Sequence, residues 1–174
     1  MKDHNILNNK ARKYIEKFQL KAHPEGGYYR EVFRAEEIIL ADHLPQRYKT
    51  ARNYTTSIYF LLEGKQVSNF HRLKSDEQWH FYDGSSVVLY VIDEGGKLNK
   101  ILLGRNIEKG ESLQTVIKYN SWFAAELSDK TSCAIIGCTV APGFDFNDFE
   151  VGKRDELLKT FPQLRELIYR LAKL

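Results

Sequence analysis

The residues best placed to do chemistry lie in one stretch, Phe70 to Gly84, which reads FHRLKSDEQWHFYDG. His71 closes one extended run, a charged turn follows, Glu77 opens the next run, and Gly84 comes seven residues after it. An imidazole and a carboxylate are thereby delivered to neighbouring rungs of a hairpin otherwise built of large apolar side chains, and residues this near a turn can face the same side. Such a pair could bind a divalent metal, act as an acid and a base, or satisfy each other in an internal hydrogen bond. Inward alternation from Glu77 brings Trp79 and Phe81 to the same face, while His80, one residue out of step, falls on the other.

The remaining candidates are weaker. His23, beside Glu25 and Gly26-Gly27, could cap the body of the fold or reach a pocket, and the local sequence leaves both open. His4 and His43 sit in polar segments. Arg47, Lys49 and Arg52 interleave with Tyr48 and Tyr54, a pattern that fits a solvated loop or an anion clamp beside a pocket. Cys133 and Cys138 are an odd number of residues apart on one extended run, hence on opposite faces and poor disulfide partners. Neither has a CxxC spacing or an activating base nearby in sequence. Gly26-Gly27 and Gly95-Gly96 lack the context of a phosphate loop, and no GxSxG nucleophile elbow occurs.

The elements that must position these groups are mostly strands. Leu7, Ala11, Tyr14, Ile15 and Phe18 recur at helical spacing, with Asp3 or Asn5 as the cap. His23-Pro24 ends any helix. The spacing then predicts strands over Tyr28–Arg34, Thr56–Leu62, Gln66–Arg72, Glu77–Tyr82, Val87–Ile92, Leu98–Leu103, Leu113–Ile117, Trp122–Leu127 and Cys133–Val140, separated by Gly, Asp, Asn and Ser turns. Short, evenly spaced strands indicate an antiparallel sandwich or barrel. Beyond Ala141-Pro142-Gly143, Leu157, Leu158 and Phe161 form one helical set and Leu164, Leu167, Ile168 and Leu171 another, with Pro162 in the first turn.

Composition narrows the function classes. The 174 residues favour a single domain over 1–174, and 43% hydrophobic content is enough for a core. A net charge of +3, spread along the chain, argues against dedicated nucleic-acid binding. No apolar run reaches the length of a membrane span, and the polar N-terminus lacks a signal-peptide core. With two buried thiols, the expectation is a cytoplasmic protein.

Four blocks, His23–Arg30 (HPEGGYYR), Ser57–Leu62 (SIYFLL), Phe70–Gly84 and Gly137–Phe149 (GCTVAPGFDFNDF), resemble in order the signature blocks of the cupin-5 family of the RmlC-like cupin superfamily. The resemblance implies an all-β double-stranded β-helix jelly roll, with the helices outside, and a homodimer. Cupins carry a first motif of the form G(X)5HXH(X)3–4E(X)6G. His71, Glu77 and Gly84 match it, but Leu73 stands at the second histidine, and Phe123 stands where the second motif has its last ligand. Two metal ligands are therefore missing, and neither a tightly held metal nor another cofactor is expected.

The expected site places His71 and Glu77 inside the barrel with Trp79, Phe81, Tyr59, Trp122 and Phe123 around them and Arg52 contributing to ligand binding. By analogy with sugar-nucleotide epimerases of this superfamily, His71 would be the base, titrating near neutral pH, with Glu77 orienting it and Tyr59 the acid. The expected ligand is a small polar molecule. The alternatives are a metal-dependent cupin such as a dioxygenase or isomerase, and a non-catalytic binding or storage cupin.

Overall fold

The computed structural model describes residues 8–174, so Leu7, the suggested caps Asp3 and Asn5, and His4 lie outside the described residues. Helix α1 (Asn9–Phe18) is capped by Asn8, whose side-chain oxygen accepts from the amide of Lys10. Its apolar stripe, Ala11, Tyr14, Ile15 and Phe18, packs on the outside of a sheet against Leu61, Cys133 and Ile135.

The strands are β1 (Lys21–Ala22), β2 (Tyr28–Arg34), β3 (Ile38–Ile39), β4 (Arg52–Asn53), β5 (Thr56–Glu63), β6 (Val67–Leu73), β7 (Asp76–Gly84), β8 (Val87–Ile92), β9 (Leu98–Leu103), β10 (Gln114–Ile117), β11 (Trp122–Leu127), β12 (Cys133–Ala141) and β13 (Phe149–Val151). One sheet runs β1-β2-β5-β12-β7-β10, the other β13-β6-β11-β8-β9, and β3 pairs β4 apart from both. Every pairing of named strands is antiparallel. The sheets face each other around a core in which Phe60, Trp79, Phe81 and Ile136 meet Val87, Leu89, Val91 and Phe123. This is the expected jelly roll. The short strands β1, β3, β4 and β13 escape the sequence pattern because two or three residues cannot show an alternation.

Helices α2 (Arg154–Thr160) and α3 (Arg165–Leu171) cover the outer face of the five-stranded sheet, burying Leu157, Ile168 and Leu171 against Phe70, Ile92 and Ala124. Pro162 opens a short 3-10 turn ahead of α3 rather than α3 itself. The thiols fall on opposite faces, Cys133 under α1 and Cys138 inside, both free. Among the described residues no helix is long and apolar enough to cross a membrane.

Candidate functional site

Cross-strand register builds a cavity at one end of the barrel. Glu31, Ile58, Cys138 and Trp79 align across β2, β5, β12 and β7, and Thr56, Val140 and Glu77 form the next row. Side chains in such rows share a face, and all of these line a cavity of about 440 Å³. The expected hairpin of His71 and Glu77 does not form: β6 and β7 do not pair but lie in opposite sheets, so His71 and Leu73 of β6 close the cavity from across the barrel, and His23, Glu25 and Tyr29 close it from the chain around β2. Phe144, Phe146 and Phe149 form the aromatic entrance, their ring centroids 5.0 to 6.1 Å apart.

A bulge in β6 sets the polar floor. Phe123 pairs His71, but Ala125, two residues on, pairs Ser68, so β6 carries one extra residue. Val67 and Phe70 therefore face the C-terminal helices, while Ser68 and His71, three apart, both reach Glu25. Ser68 Oγ donates to Glu25 Oε1 at 2.7 Å, and His71 Nε2 lies 3.1 Å from Glu25 Oε2. The extra residue, Asn69, ties the bulge to the Glu25 turn: its amide and its Nδ2 both donate to the Glu25 carbonyl, at 2.8 and 2.5 Å. That turn needs Gly26, which has φ +111°, and a Cβ there would stand 2.1 Å from the Val67 carbonyl oxygen.

The tautomers follow from these contacts. His71 Nδ1 lies 2.7 Å from the Asn69 carbonyl, which can only accept, so Nδ1 carries the hydrogen. Nε2 then offers a lone pair, and the proton between it and Glu25 belongs to the carboxyl. Burial, then repulsion from Glu77, pushes the Glu25 pKa well above the usual carboxyl range. Burial pulls His71 down to about 3 and His23 down to about 4. His71 therefore does not titrate near neutrality. Glu25, not Glu77, orients it.

Glu77 is the other unusual group. Burial raises its pKa to about 7, against smaller hydrogen-bonding contributions from Trp79 N–H and the Cys138 thiol, which approach it without the geometry of a full hydrogen bond. Its Oε2 is buried without a hydrogen-bond partner, and so is Nε1 of Trp79, the next inward residue on the same strand.

Several expected members stand elsewhere. Tyr59 faces out of the barrel, because register puts Ile58 and Phe60 inside; its ring stacks on Phe18 of α1 at 4.8 Å and meets Tyr82 edge-on. Trp122 also faces out, under the C-terminal helices with Arg72 over its ring, since neighbours on one strand cannot both point inward. Phe123 does point inward, its ring 4.0 Å from that of His71, and packs behind it in the core with Phe81 rather than on the cavity wall. Arg52 is engaged in a buried bidentate pair with Asp148, at 2.5 and 2.6 Å, and does not line the cavity. Arg47 Nε donates to the Lys74 carbonyl, so the basic cluster forms no clamp there. His23 and Glu25, left open by their local sequence, and the three entrance phenylalanines all lie within blocks that carry the family resemblance.

The residues do not fit a cupin metal. Leu73 lines the cavity and Phe123 packs behind His71 at two of the four ligand positions, and both nitrogens of His71 already have partners. Among the described residues no group of three or more His, Cys, Asp or Glu side chains is arranged to hold a metal ion.

The model of the cupin-5 family, Cupin superfamily (DUF985), matches residues 12–152. The chain belongs to this family. A solved protein from Shewanella oneidensis is 34% identical, with 94% of this chain and 97% of that one covered and a TM-score of 0.85. A hypothetical protein from Leishmania major is 31% identical over 94% and 99% of the two chains, with a TM-score of 0.84. A Bacillus subtilis oxalate decarboxylase, 17% identical, shares the cupin fold over 86% of this chain and 36% of its own, at a TM-score of 0.52. No curated protein matches the chain.

Proposed function

We propose that this cupin binds a small molecule in the barrel cavity and moves a proton on it with side chains alone, as an isomerase. One observation carries the reading: a buried base and a buried donor, Glu77 Oε2 and Trp79 Nε1, line the same cavity close enough to influence each other yet without a well-formed protein hydrogen bond. Buried polar groups ordinarily have one. A ligand that offers an acidic hydrogen to Glu77 and an oxygen to Trp79 would supply both.

A base with a pKa of about 7 suits proton transfer at neutral pH. Ionised Glu77 would take the proton from a carbon beside a carbonyl. The C–H electron pair becomes a C=C bond as charge moves onto the carbonyl oxygen, which Trp79 N–H holds. Where the deprotonated carbon carries a hydroxyl, the hydroxyl proton passes to the former carbonyl oxygen and Glu77 returns the carbon proton to the former carbonyl carbon on the same face, so the carbonyl moves one position with no net oxidation. Inversion would need an acid on the opposite face, and Tyr59, the candidate for that part, lies outside the barrel. The Glu25–His71 pair would act through the field it sets around Glu77. A sugar nucleotide is disfavoured as ligand, since Arg34, the arginine that lines the cavity, is tied to Glu31.

The test is hydrogen exchange in deuterium oxide, followed by proton NMR, with dihydroxyacetone and aminoacetone as probes. Exchange above buffer should rise with pH through about 7 and vanish in Glu77→Gln. It should fall about 100-fold in Trp79→Phe and hold in Tyr59→Phe. No exchange with either probe would reject the chemistry and leave a non-catalytic binding protein.

A further inference from the structure

Charge inside the cavity is one-sided. Its lining holds four carboxyl side chains, Glu25, Glu31, Glu77 and Asp145, against the two cations Lys21 and Arg34. Arg34 is committed: Nε and Nη2 donate to Glu31 at 3.0 and 2.7 Å, and Nη1 donates to Asn53 Oδ1 and the Phe144 carbonyl. Lys21 stands beside Tyr29, with Nζ 5.5 Å from the ring centroid. Neither cation contacts Glu25 or Glu77, and the two histidines beside them are neutral by burial. The rest of the wall is rich in ring faces, from Tyr29, Phe60, Trp79, Phe144, Phe146 and Phe149.

These features discriminate among ligand charges. An anion would meet two buried carboxyl groups and, of the two lining cations, only Lys21, which stands over Tyr29 and contacts neither of them. A neutral molecule could hydrogen-bond to Glu77 but would leave its charge uncompensated once ionised. A cation would compensate Glu77, whose Oε2 has no partner, and would lie against aromatic faces that attract positive charge. We infer that the cavity takes a small organic cation, an amine or a protonated nitrogen heterocycle, with its charge directed at Glu77. The inference rests on the cavity being the ligand site proposed above and adds the ligand's charge class. A positive charge on the substrate would also acidify a neighbouring C–H bond, in keeping with proton transfer there.

The test uses three molecules of one shape and different charge, benzylamine, benzyl alcohol and benzoate, titrated calorimetrically into the full chain. At about pH 8 benzylamine should bind about tenfold more tightly than benzyl alcohol, or better, with benzoate weakest. Benzylamine affinity should climb between about pH 6 and about pH 8 as Glu77 ionises, while that of benzyl alcohol stays level. Glu77→Gln should erase the difference between amine and alcohol; should that variant fail to fold, the wild-type pH profile decides. Equal affinities, preference for benzoate, a pH-independent amine or no amine binding at millimolar concentration would each overturn the inference. Failure here with C–H exchange intact rejects the charge class alone. Amine binding without exchange rejects the chemistry alone.

Discussion

Glu25 Oε2 lies 3.1 Å from His71 Nε2, while the other nitrogen of that ring lies 2.7 Å from the Asn69 carbonyl, so the imidazole at the first cupin ligand position has both its nitrogens engaged within the protein. A carboxyl proton and a lone pair hold each other in a buried place where neither charge would be stable alone.

That network should tolerate an isostere and not a truncation. Glu25→Gln keeps a donor for His71 Nε2 and an acceptor for Ser68, so its unfolding free energy should stay within about 1 kcal/mol of wild type. Glu25→Ala strips the partner from both and opens a void, and should lose about 2–4 kcal/mol in urea denaturation. Equal loss in the two variants would contradict the proton placement.

The four buried groups predict a pH profile. The His71 and His23 pKa values are depressed to about 3 and about 4, so each makes stability rise with pH from there up to its unfolded value near 6.5. The Glu77 pKa is raised to about 7, so the folded state holds a proton the unfolded state has lost, and stability falls as pH climbs from about 4.5 through 7. Glu25, raised well above its ordinary value, acts in the same direction. Between about pH 4.5 and 6.5 two rising and two falling contributions oppose, and these groups should give a plateau. Glu77→Gln removes one falling contribution, so over that window the variant should gain stability with pH at about 1.4 kcal/mol per unit relative to wild type. A parallel pair of curves would show that Glu77 has an ordinary pKa in the fold.

Arg52 should prove structural. Arg52→Ala leaves Asp148 buried with only Lys74, 3.3 Å away and partly exposed, for a partner, and should cost about 3–5 kcal/mol. Replacing both by apolar residues, Arg52→Met with Asp148→Leu, should cost less than the single change. Unchanged stability in Arg52→Ala with loss of ligand binding would instead restore it as a ligand contact.

We expect two copies of the chain to associate through the edge of β2. Strand β1 pairs only Tyr28 and Tyr29, so the rest of that edge has no strand partner among the described residues, and Val32, Phe33, Ile38, Leu40 and Tyr54 are exposed nearby. An open, apolar edge favours strand addition. Sedimentation at micromolar concentration should give about twice the chain mass, and Phe33→Asp should shift the species toward one chain. A wild-type species of single-chain mass would refute it.

Much of the fold was legible from residue order alone. Short apolar runs bounded by turn residues marked every strand of six or more residues, from Tyr28–Arg34 to Cys133–Ala141, and the helical spacing within Leu157, Leu158 and Phe161 and within Leu164, Leu167, Ile168 and Leu171 marked the helical cover, because both signals are local to their own segments. Glu77 and Trp79 could be put on one wall for the same reason, whereas His71, read as their hairpin neighbour, lies on the opposite sheet. The phase of one strand against another is not local. Which of Tyr59 and Phe60 points inward depends on β5 pairing β12 with Gly137 opposite Tyr59, and that register follows from the whole sheet. The bulge in β6 is likewise invisible in the order Ser68, Asn69, Phe70, His71; it arises where β6 meets β11, and it turns Ser68 and His71 toward one carboxylate. Only tertiary structure could bring Glu25 to that point. The titration of these groups follows from burial, which no residue carries in its own sequence neighbourhood.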